Sequence, residues 1–139
     1  YAAPDGRSLA EATAEMDRYR VDLEREAGRP VESWEEHPEP CERTKMTTPK
    51  KEPWFLAGSG ELTVEPADQP AVLAGLRRWW QSRGYEIVTS EHGRLVATDP
   101  GTGAGTTLWT VERPDIVYVH VKSACMRPAE GEDPGYEGI

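Results

Sequence analysis

Between Leu9 and Ala27 the apolar residues recur every three or four positions. Leu9, Ala12, Met16, Tyr19, Leu23 and Ala27 fall on one stripe, and Glu15, Asp17, Arg18, Asp22, Glu24 and Arg25 lie mostly outside it. That period predicts a helix with one buried side. Ser8-Leu9-Ala10-Glu11 reads as a capping box at its start, and Gly28 followed by Pro30 ends it. A second stripe, Val72, Leu73, Leu76, Trp79 and Trp80, follows Asp68 as the expected N-cap and Pro70 in the first turn, and stops at Gly84.

Elsewhere the pattern is that of strands. One is expected near 55–64, with a kink at Gly58-Ser59-Gly60, and four more segments follow Gly84 as a meander: 85–90, 94–99, 106–112 and 116–124. Turns at Glu91-His92-Gly93, at 100–105 and at Arg113-Pro114-Asp115 separate them. In the last strand Val117, Val119, Val121 and Cys125 share the parity expected to face the core, while Tyr118, His120 and Lys122 share the other. The stretch 29–51 carries Pro30, Pro38, Pro40 and Pro49 among Glu32, Glu35, Glu36, Glu39 and Glu42, and is expected to be an irregular acidic connector.

These elements predict an α+β fold: a two-layer sandwich with two helices on one face of an antiparallel sheet of about four to five strands. Residues 8–128 form the expected single domain. Residues 1–7 are expected to be a disordered N-terminal segment and 129–139 an acidic flexible tail. The start at Tyr1, with no Met or charged and apolar leader, is what a mature or trimmed chain would show.

Charge narrows the partners. A net charge of -9 and the surplus of acids disfavour nucleic acid and anionic membranes, whose recognition depends on Lys and Arg. No stretch reaches the roughly eighteen consecutive apolar residues of a membrane span. Twelve Arg against four Lys and the absence of Asn fit a high-GC bacterial source. The two cysteines, Cys41 and Cys125, have no CxxC spacing and no matched histidines, so a disulfide is the expected pairing. Closing so long a loop contributes roughly 4 to 5 kcal/mol in the chain-entropy model.

No motif for catalysis emerges. Glu35, Glu36, His37, Glu39, Cys41 and Glu42 resemble a metal cluster only in composition, because the interleaved prolines hold the chain extended. The glycine run 101–105 precedes a strand-like segment instead of a helix and so lacks the form of a phosphate loop. His37, His92 and His120 sit in no nucleophile signature. No catalytic residue, metal or cofactor is therefore assigned. The residues expected to meet a partner are Trp79, Trp80 and Arg83 on the second helix, Tyr118 and His120 on the last strand, and Glu35, Glu36 and Glu39 in the acidic segment.

The order of features also carries a resemblance. Pro40-Cys41-Glu42, the run from Leu76-Arg77-Arg78-Trp79 to Gly84-Tyr85-Glu86-Ile87, and the closing Cys125-Met126-Arg127-Pro128 resemble small secreted proteins and predicted lipoproteins of actinobacteria, most of them without an assigned function. The resemblance spans roughly residues 8 to 128. It implies export, with any signal peptide or lipid-bearing Cys upstream, and it supplies no catalytic residue. The expected function is noncatalytic: binding of a protein or cell-wall partner outside the cytoplasm. Two alternatives are an immunity or inhibitor protein against a secreted toxin or hydrolase, and an enzyme with an unrecognised site.

Overall fold

A computed structural model describes residues 8–41, 53–89, 94–109 and 114–127. The expectations for 1–7 and 129–139, and the turn containing His92, lie outside the described residues.

Helix α1 (Leu9–Ala27) starts as its sequence dictates. The Glu11 amide donates to the Ser8 hydroxyl at 3.1 Å and the Ser8 amide donates to the Glu11 carboxylate at 3.2 Å, so two otherwise orphaned donors are satisfied. Gly28, at φ 73°, takes the left-handed turn that stops it, its amide donating to the Glu24 carbonyl. Ala12, Met16, Leu23 and Ala27 are buried, and Leu9 and Tyr19 pack against the same core. Helix α2 (Gln69–Ser82) has Asp68 in the cap position, but the Asp68 side chain makes no capping bond. Gln69 secures that end instead, its amide NH2 donating to the carbonyls of Val64 and Pro114.

Among the described residues six strands form one antiparallel sheet: β1 (Glu32–Pro40), β2 (Trp54–Thr63), β3 (Glu86–Thr89), β4 (Leu95–Thr98), β5 (Gly105–Trp109) and β6 (Ile116–Lys122), in the spatial order β1-β2-β6-β5-β4-β3. The sheet exceeds the expected four to five strands because β1 occupies part of the stretch read as an irregular connector. Its prolines are compatible with pairing for a geometric reason. The Cys41 amide donates to the Pro53 carbonyl across the β1–β2 ladder, so odd-numbered residues of β1 point their amides at β2. Pro38 and Pro40 fall on even positions, whose amides face away from the sheet. An edge strand tolerates proline on that side, and the prolines and glutamates discourage pairing with another chain.

Gly58 and Gly60 do not mark a kink. They make room for Trp34, which enters through a bulge between Glu32 and Glu35 where Ser33 has φ 56°. A Cβ at Gly58 would run into the Trp34 indole.

One face of the sheet meets the helices. Leu56, Leu62, Val117, Val119, Leu108 and Ala97 join Leu23, Leu76 and Trp80 in a single core. The valine parity expected for β6 holds as far as Val121. Beyond it the ladder slips by one: Ala57 lies opposite Lys122, but Trp54 lies opposite Met126. Met126, 3% exposed, therefore takes the core position beside Trp54, and Cys125 shifts to the other alternation. There it meets Cys41 in the predicted disulfide, with 6.2 Å between Cα atoms, straddling the start of β2.

Candidate functional site

Among the described residues the helices leave the opposite face of the sheet uncovered, and the register assembles it row by row. One row crosses all six strands: Glu35, Ser59, His120, Thr107, Val96 and Val88. In a neighbouring row Glu61 pairs with Tyr118 and Tyr118 with Trp109. On the other side His37, Ala57, Lys122, Gly105, Thr98 and Glu86 align. Trp109 and Tyr118 stack with centroids 5.9 Å apart, and the Arg94 guanidinium lies 5.5 Å from the Trp109 ring. Lys122 places its ammonium 5.0 Å from the Phe55 ring.

The face is graded. Its β1 and β2 side carries Glu35, Glu39 and Glu61, with His37 paired to Glu39 at 2.9 Å. Its centre is aromatic. Its far side ends in Val96 and Val88, and Val88 is 61% exposed, which marks the apolar end of the surface.

The sequence-predicted residues are split by this sheet. Tyr118, His120, Glu35 and Glu39 come together on the uncovered face. Glu36, one residue out of phase, turns toward α1, where its carboxylate accepts from the Trp34 indole N–H at 2.6 Å. Burial pushes the Glu36 carboxyl above its ordinary range; the Trp34 bond opposes this, Asp17 on α1 adds to it and Arg20 opposes it. Trp79, Trp80 and Arg83 lie on the helix side. Trp80 is fully buried and Trp79 stacks on Tyr19 at 5.6 Å. The Arg83 guanidinium covers Trp79 and Tyr85 at 5.4 and 5.7 Å.

Sequence reasoning missed Trp109 and Arg94 on the uncovered face. Their signal was parity: Trp109 alternates with Leu108 in a strand whose register to Tyr118 only the ladder supplies. It also missed a cleft on the helix side, about 290 Å³ in volume, between α1, the β4–β5 turn and the end of β6. Tyr19 and Thr106 stand in its lining. The Trp80 indole N–H donates to the Tyr19 phenol oxygen at 2.9 Å, and the Tyr19 and Thr106 hydroxyls are hydrogen-bonded to each other. Burial pushes the Tyr19 phenol up to about 12, against these two hydrogen bonds, so it stays protonated through the physiological range.

Ser59 stands between Glu35 and His120, whereas a relay to a serine needs the base between acid and hydroxyl. Strands β2 and β6 are paired on both sides, so their amides are spent in ladders and are not turned out as oxyanion donors. Among the described residues no group of three or more His, Cys, Asp or Glu is gathered to hold a metal ion. Among them, too, no helix is long and apolar enough to cross a membrane. No protein-family model, no curated protein and no solved structure matches the chain.

Proposed function

We propose that the chain is a noncatalytic extracytoplasmic protein, secreted or held at the cell envelope, that binds a protein partner through the uncovered face of its sheet. The observation that carries this reading is the graded surface itself: a stacked Trp109–Tyr118 pair with Arg94 over it, acids on one side and exposed valine on the other. Aromatic residues and Arg supply most of the energy in protein interfaces, and a rim of one charge sets register and attraction. The disulfide supports a location outside the reducing cytoplasm. The resemblance to secreted and lipid-anchored actinobacterial proteins points the same way.

A second reading is favoured by Glu35, Glu39 and Glu61 on one side of that face: an immunity or inhibitor protein that covers a basic secreted toxin or hydrolase. Both are tested by presenting the immobilised chain to an envelope and secreted fraction of its own organism beside the variants Trp109→Ala and Val88→Glu. A single protein bound by the wild type, lost by both variants and released as salt rises supports the interface. Equal retention by the variants with unchanged circular dichroism rejects it, and sedimentation with purified cell wall alone moves the partner to the wall polymer.

A further inference from the structure

The cleft lies on the helix side, bordered by Gly105 and Lys122 at the ends of β5 and β6, and its floor has a proton to spare. Trp80 Nε1–H, the Tyr19 hydroxyl and the Thr106 hydroxyl bring three protons to two contacts. The indole proton goes to the Tyr19 oxygen. One hydroxyl proton fills the contact between Tyr19 and Thr106, in whichever direction it runs. The other hydroxyl proton has no acceptor among the described residues. Thr106 is 1% exposed and Tyr19 partly buried, so whichever hydroxyl holds the spare proton meets an outside acceptor through the cleft that both residues line, and an acceptor placed there gains a neutral hydrogen bond.

The remaining walls define what would carry that acceptor. Ala12, Met16, Val121 and Met126 supply apolar wall; of the other hydroxyls in the lining, Thr102 accepts from the Ala104 amide, Ser123 accepts from the Leu56 amide and donates to the Ala124 carbonyl, and Tyr85 lies under the Arg83 guanidinium. Of the charged residues in the lining, Glu15 is exposed at the rim and Lys122 holds its ammonium 5.0 Å from the Phe55 ring on the other face, so neither brings a charge to the floor. A charged group driven to the floor would lose its hydration with no counter-charge beside it. An engineered apolar cavity of about 150 Å³ holds benzene, and this cleft is about twice that volume.

We propose that the cleft is a binding site for a small uncharged molecule, about twice the size of benzene, with an apolar body and one oxygen acceptor that takes the spare hydroxyl proton of the Tyr19–Thr106 pair. The site shares none of its lining with the Trp109, Tyr118, Arg94 and Val88 surface proposed as the protein interface. A carbonyl or ether oxygen satisfies the floor, and the apolar body displaces water from the methionine and valine walls.

Three probes sharing one ring system test it on the full chain: naphthalene, 2-acetylnaphthalene and 2-naphthoate, followed by two-dimensional amide and indole NMR. The acetyl compound is expected to shift the Thr106 and Tyr19 amides and the Trp80 indole signal. It should bind about three- to tenfold tighter than naphthalene, the gain of one neutral hydrogen bond, with the naphthoate weakest. Tyr19→Phe and Thr106→Val each leave one hydroxyl in place and are expected to keep part of the preference. The double variant is expected to erase it while naphthalene still binds. Ala104→Trp, on the β4–β5 turn, fills the cleft without touching the floor and is expected to abolish binding of every probe. Equal affinity for naphthalene and its acetyl derivative, shifts outside the cleft, or binding unaffected by Ala104→Trp would each overturn the proposal.

Discussion

Strand β6 runs through the middle of the sheet and shows two chemistries on its two sides. Val117, Val119 and Val121 are all 4% exposed or less and lie under the helices, whereas Tyr118, His120 and Lys122 look out from the uncovered face. The covered face is where large apolar side chains interlock: Trp80 and Leu76 from α2 and Leu23 from α1 are completely buried against it. The uncovered face holds Trp109 and Tyr118 half-buried and stacked on one another, with Arg94 over the Trp109 ring and Lys122 over a buried Phe55. Hydrophobic burial scales with area removed from water, so substitutions should cost folding energy on the first face and much less on the second, where the proposed function places binding instead. One structural tie breaks this division, because the disulfide sits on the uncovered side at the corner of β1, β2 and β6.

That exception offers the largest test. The double variant Cys41→Ser with Cys125→Ser is expected to lose roughly 4 to 5 kcal/mol in the chain-entropy model, measured as a fall in urea midpoint against the oxidised protein. A loss below about 1 kcal/mol would mean that the corner is held by the Trp54–Met126 pairing alone. Next comes the direct comparison of faces. Trp80→Ala is expected to cost about 3 to 5 kcal/mol, through lost packing and an unserved Tyr19 phenol. Trp109→Ala is expected to cost under about 1.5 kcal/mol, because its ring gives up a stacked pair and little core. Equal costs in parallel urea curves would erase the distinction between the faces.

The smallest expected effect sits at the seam of α1 and β1. The folded state holds the Glu36 carboxyl above the ordinary 4.5, first by burial, so the folded chain binds more protons than the unfolded one as pH falls from neutral toward 4.5. The ionised carboxylate therefore destabilises the fold above its raised pKa, and that penalty disappears below 4.5. Glu36→Gln is expected to be at least as stable as the wild type at neutral pH, with the difference shrinking as the solution is acidified. A difference that instead grows on acidification would show that the charge-assisted Trp34 bond outweighs burial.

Much of the helical layer was legible from short-range rules. The capping box at Ser8 and the left-handed Gly28 are local devices that depend on residues within one turn, and the stripes of both helices pack where their spacing places them. The cysteine pair was legible by elimination. Strand β1 was not, because proline and glutamate depress strand propensity everywhere except on an edge, and being an edge is a property of the whole sheet. The same blindness applied to Cys125, whose parity followed the valines until the one-residue slip before Met126. It applied again to the acidic segment: once it is a strand, alternation sends Glu35 and Glu39 outward and Glu36 against α1, and a single acidic patch becomes two environments.

The candidate site divides along the same line. Sequence by itself determined the amphipathic helices, the alternation of β6 and the acidic balance, since each is written in neighbouring residues. Only the tertiary structure decided that Trp109 stacks on Tyr118, that Trp79 and Trp80 serve the core, and that Tyr19 meets Thr106 across 87 residues of chain. Those are contacts of register and packing, and their partners are chosen when the sheet closes and the helices settle on it.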